Sequence, residues 1–137
     1  MKKSAKILIA FVLILIQFSA CKKSKYKSNG ESIFFTGKSS DGRLLLDIDK
    51  SQMKMVQGCA NCHGNSGSGA NMMMNAPSIK YKDLTNSKLH KPAYTDALLI
   101  RFIDHELKSD STHANTGVVW VMQTKDKLDI IGYLKKL

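Results

Sequence analysis

The stretch QGCANCHGNSGSG, Gln57 to Gly69, constrains this chain more than any other, because it holds two of three cysteines and one of four histidines. Cys59 and Cys62 are three residues apart, about one helical turn, so both thiols can project from one side. His63 follows at once, and the glycines and serines after it propagate a helix poorly. Three chemistries use such a spacing. A thioredoxin-like dithiol needs a strand before it and a helix starting at the first cysteine. This chain instead predicts a helix leading in from about Asp49, with Met53 and Val56 on one side. A structural zinc site needs four tightly spaced ligands. Here the second pair is missing, and His90, His105 and His113 are scattered.

Covalent haem attachment is the third chemistry. It needs two thiols one turn apart for two vinyl groups, followed by a histidine that brings a ring nitrogen under the iron. Cys59, Cys62 and His63 meet this requirement residue for residue. The cofactor expected is one haem c.

The N-terminus bears on where such chemistry would occur. MKKSAKILIAFVLILIQFSAC has three lysines before an unbroken apolar run from Ile7 to Ile16, then Ser19 and Ala20. That is the layout of a secretory signal peptide over residues 1–20. The run is shorter than the roughly 20 residues of a membrane-spanning helix. FSAC also resembles the lipobox of bacterial lipoproteins, departing at Phe18. The resemblance implies lipidation at Cys21 and an exported, membrane-anchored protein facing the periplasm or cell exterior.

Residues 21–32 then read as a basic, aperiodic tether, and 33–137 as one domain. The net charge of +10 belongs mainly to the leader and tether, since from Glu31 onward 14 basic residues face 11 acidic ones. A nucleic-acid surface is therefore not expected. Tether lysines beside anionic headgroups add about 1 kcal/mol of attraction each.

Along the domain, SIFFTGKSSDGRLLLDIDK predicts an extended arm with turns at Gly37, Asp41 and Gly42. Thr95 predicts an N-cap for a helix over DALLIRFIDHELK, with Leu99, Phe102 and Ile103 as its apolar stripe. A last helix is expected from about Thr124, with Leu128, Ile131 and Leu134 on one side and Ile130 and Leu137 beside them. Gly132 costs that helix about 1 kcal/mol, so a backbone is expected close to it. Helices this few, joined by loops this long, argue that something else fills the middle.

With these residues in view, CANCHGNSGSG is similar to the CxxCHGxxGxG of small monohaem c-type cytochromes with an N-terminal CxxCH, matching at Cys59, Cys62, His63, Gly64, Gly67 and Gly69. Pro77 in NAPSI resembles the proline whose carbonyl orients the haem histidine. DIIGYLKKL looks like that family's last helix, which crosses the first at a contact of small and aromatic residues, here Gly132 and Tyr133. The resemblance implies an all-α cytochrome c-like fold, three to four helices with long loops around one covalent haem. It also implies an electron carrier rather than an enzyme, with respiratory or dehydrogenase components as redox partners.

One departure matters. The family's sixth iron ligand is a methionine, and the corresponding position here is Gly117. Met122, His113, His105 or an open site are the alternatives, with Met72, Met73 and Met74 behind them. An open site would make the protein a haem-based gas or ligand sensor. A haem-free module stapled by Cys59 and Cys62 is the third reading. Trp120 is expected to pack on the cofactor, and His90 to be a surface residue.

Overall fold

Ser28 starts the first helix among the described residues. Its hydroxyl accepts from the Glu31 amide at 3.1 Å, the N-cap bond that satisfies an orphan donor. Helix α1, Asn29–Thr36, follows and ends at Gly37 in the left-handed conformation. The computed structural model describes residues 25–69 and 75–137. Signal segment, Cys21 and Met72 to Met74 lie outside the described residues.

Four more helices follow among the described residues: α2 Cys59–His63, α3 Tyr81–Leu84, α4 Asp96–His105 and α5 Thr124–Leu134. Among the described residues there are isolated β-bridges but no strand, so the domain is helical. No helix there is long and apolar enough to cross a membrane.

Helix α1 corrects two expectations at once. Ser32 to Phe35 are helical rather than an extended arm, and Asn29 to Ser32 belong to the fold rather than to the tether. Packing explains why: Ile33 and Phe34 are fully buried, with Ile130 and Ile131 of α5 in the same core. The predicted helix from Asp49 into the cysteines does not form. Its amides are taken elsewhere, since Gln52 and Met53 both donate to the Gly117 carbonyl, at 2.9 and 3.0 Å. Segment 44–53 thus lies antiparallel to 117–121, fixed by the Leu46 to Trp120 bridge.

The close helix crossing is α1 on α5, but the glycine at it is Gly30. A β-carbon there would collide with the Asp129 carbonyl and stand 2.9 Å from Tyr133 Cβ. At Gly132 a β-carbon would meet nothing within 4 Å, so the backbone expected beside it is absent. Phe34 meets Tyr133 at the crossing, with ring centroids 5.2 Å apart. Beside it Asp126, almost fully buried, accepts from Arg43 at 3.0 Å, Asn29 at 3.3 Å and its own helix's Gln123 amide at 3.1 Å.

Helix α5 otherwise turns the expected residues inward, Leu128 excepted. Ile130, Ile131 and Leu134 are buried, whereas Leu128 is 52% exposed. Asp126 takes the inward place one turn before Ile130. Helix α4 is capped by Thr95 as expected, through the Leu98 amide at 3.2 Å. It stops at His105, because Glu106 adopts the left-handed conformation and the chain turns back, Ala114 bonding to the Glu106 carbonyl. The nine-residue buried core is ringed by half-buried apolar side chains, among them Leu98, Phe102, Ile103, Trp120 and Met122.

Candidate functional site

Helix α2 begins at Cys59 because Asn61, between the cysteines, caps it. Its side-chain oxygen accepts from the Gly58 amide at 3.0 Å and the Gln57 amide at 3.3 Å. Gly58 packs against the end of α1, where a β-carbon would stand 2.6 Å from the Phe34 carbonyl oxygen. The two thiols and His63 are thereby mounted one turn long against the buried α1.

The chain after His63 folds back. Gly69 donates to the His63 carbonyl at 3.0 Å, and Ile79 to the Gly67 carbonyl at 2.8 Å. Gly69 permits this closure with φ +91° and no side chain, since a β-carbon would stand 2.6 Å from the Ala76 carbonyl oxygen. The result is that Pro77 reaches His63: its carbonyl oxygen lies 2.7 Å from Nδ1. A carbonyl only accepts, so Nδ1 carries the proton and the lone pair is on Nε2. Burial pulls the His63 pKa below the ordinary histidine range, against the upward pull of the Pro77 bond.

Cys59 and Cys62 are free, half-buried thiols. Burial pushes the Cys59 thiol up to about 12 and raises that of Cys62 as well. Reactive dithiols are lowered instead. The helix does start at the first cysteine, contrary to the expected lead-in, but among the described residues no strand precedes it. Among the described residues no group of three His, Cys, Asp or Glu side chains is placed to hold a metal ion. That removes the geometric support for a zinc knuckle. What the site offers a cofactor is two free thiols, which would bond to the side groups of a porphyrin, and one oriented imidazole, whose Nε2 would hold its iron.

The candidate sixth ligands separate by burial. His105 and His113 are exposed, while Met122 is half-buried against the core. Trp120 is half-buried there too. His90 is half-buried with its ring edge-on to Tyr94 at 5.1 Å, so it is a packing residue more than a surface one. Gly117 has φ +70°, and a β-carbon on it would stand 3.3 Å from Met53 Cγ. Met53 is therefore the methionine beside that position, a neighbour that only the long-range pairing of 52–53 with 117 reveals. The Ser28-x-x-Glu31 pattern, by contrast, was a readable helix-start signal.

No protein-family model matches the chain, nor does any curated protein or any solved structure. What the site can do follows from its own geometry.

Proposed function

We propose that the chain is a membrane-tethered haem protein of the cytochrome c type, passing single electrons between exported or membrane redox partners. Cys59 and Cys62 hold one haem c by thioethers, and His63 is the proximal ligand through Nε2. The observation that carries this reading is the 2.7 Å bond between His63 Nδ1 and the Pro77 carbonyl, one residue from a free thiol. It fixes the ring's tautomer and orientation as metal-bound histidines require.

Haem, when bound, supplies a one-electron couple whose potential depends on axial ligands and burial. The chain's own residues fasten, orient and dry the site. Half-buried Leu98, Phe102, Ile103 and Trp120 are apolar surface that a core of this size leaves incompletely covered. Met122, half-buried against the same core, is the sixth ligand in this reading. Cys21 carries the lipid anchor, and docking to partners is transient over a small surface.

Gly117 favours a second reading, because no side chain stands at that loop position and a vacant iron would bind gases or other small ligands. The test is a visible spectrum of the protein exported alongside haem-attachment machinery, before and after acid-acetone extraction. Colour that stays with the polypeptide, with sharp reduced bands, is the expected result. Colourless folded protein, or haem that extracts, refutes covalent attachment. Carbon monoxide binding without displacement of an internal ligand would select the sensor.

A further inference from the structure

A cavity of about 590 Å³ lies between α1 and the excursion that follows it, with neither Cys59 nor His63 in its described lining. Its apolar floor includes Leu44, Leu46 and Ile48, and Lys25, Lys38 and Lys54 stand on its wall. Leu44 and Ile48 are 38% and 45% exposed, large side chains left uncovered together. All three lysines are exposed, and among the described residues none of them is in an ion pair. The lysines that are paired, 50, 125, 127 and 135, all lie outside this cavity. No carboxylate is among its described lining residues.

An apolar floor under unpaired cations is complementary to one chemical class, an anion carrying a hydrocarbon chain. Its volume is within the roughly 300–1,000 Å³ of small-molecule sites. With a lipid anchor on Cys21, as proposed above, chain length would also keep the cavity near the membrane. Lys25 is four residues from Cys21, and a fully extended chain spans at most about 3.6 Å per residue, or about 14 Å here.

We propose that this cavity binds an anionic phospholipid of the membrane that carries the anchor, its phosphate between Lys38 and Lys54 and the start of an acyl chain on Leu44 and Ile48. The choice of a membrane lipid rests on the Cys21 anchor proposed above. Seating a lipid there holds the domain at the surface in one orientation, where a tether alone would let it tumble.

The experiment titrates dihexanoylphosphatidylglycerol, below its micelle concentration, into the full mature chain, followed by amide NMR. The choline analogue and inorganic phosphate serve as comparisons. Saturable shifts at Leu44, Ile48 and Lys54 with the glycerol lipid are expected. Replacing Lys38 and Lys54 by glutamine weakens binding about thirtyfold, at about 1 kcal/mol per lysine and 1.4 kcal/mol per decade. Ile48→Glu, at an exposed position, removes the acyl contact without disturbing the buried core. Its unchanged spectrum elsewhere shows that the fold is kept. Shifts of equal strength with the choline lipid or with phosphate alone, or none that saturate, overturn the proposal. Intact mass of the membrane-extracted protein reports Cys21 lipidation separately. A lipidated chain without binding overturns the cavity's role and leaves the anchor standing, whereas binding by an unlipidated chain does the reverse.

Discussion

Replacing Gly30 by alanine adds one methyl group where α1 meets α5, and its cost follows from the crossing. The new β-carbon would lie 2.7 Å from the Asp129 carbonyl carbon and 2.9 Å from Tyr133 Cβ. Ordinary carbon contacts are about 3.5 Å, so these two atoms alone make the helices separate by about 0.6–0.8 Å, and the still closer Asp129 carbonyl oxygen demands more; a gap of that order forfeits at least about a quarter to a half of each contact's attraction. The atoms hit are backbone and a β-carbon, which no rotamer change can move aside. Overpacking of this kind costs about 1–3 kcal/mol, offset in part by alanine's better helix propensity, at most about 1 kcal/mol. The expected net loss is about 1–2 kcal/mol, a fall in Tm of about 4–16 °C for a domain near 100 residues. Gly132→Ala is the paired control. Its β-carbon meets nothing within 4 Å, so only the propensity gain of about 0.5–1 kcal/mol remains. Guanidinium unfolding followed by far-UV circular dichroism measures both. A Gly30→Ala protein as stable as the parent, or a Gly132→Ala protein less stable than the Gly30 variant, would refute the crossing described here.

Gly69→Ala is expected to push residues 76–78 away from the loop, because its β-carbon would crowd the Ala76 carbonyl at a left-handed φ of +91°. The His63 Nδ1 proton then exchanges faster in ¹⁵N NMR; unchanged protection would contradict the closure. Asp126→Ala leaves Arg43 and the Gln123 amide without their buried acceptor, at a cost of about 2 kcal/mol because the arginine keeps access to water. A midpoint shift under 0.5 kcal/mol in urea would show the network to be inert. Asp96 accepts from Lys135 at 2.7 Å and from the Tyr81 hydroxyl at 2.7 Å, and these bonds, Lys135 first, hold its carboxyl below the ordinary 3.8. Since the folded value is depressed, its contribution is present above the unfolded pKa and lost as pH falls through the folded one. Carboxyl ¹³C titration should give a midpoint below 3.8 that rises in Lys135→Gln; identical midpoints would remove the pairing.

Local chemistry was legible and long-range closure was not. Helices α4 and α5 announce themselves through Thr95 and through apolar spacing, and both form close to where expected. The CANCHG spacing was readable, the meeting of His63 with Pro77 was implied by the resemblance, and His63 does meet Pro77. Helix α1 was hidden by the lysine run before it, although Ser28 and Glu31 mark its start. The stretch 49–58 has helical periodicity, but its Gln52 and Met53 amides bond to residue 117, a competition no local pattern displays. Gly132 and Gly30 look alike in sequence, and only the crossing tells which one needs to be small. Leu128 points outward because a buried carboxylate, Asp126, claims part of the inner face.

The bond from Asn29 to Asp129 spans 100 residues of chain, and this has a consequence in time. Contacts between distant segments form late, since the chain between them must first be closed into a loop. A polypeptide emerging N-terminus first therefore shows residues 59–63 to its surroundings well before Asp129 and Tyr133 arrive to cover Phe34. During that interval the two thiols are held by no finished core, and whatever acts on them acts on an open chain. Arrival of the last helix closes the interval.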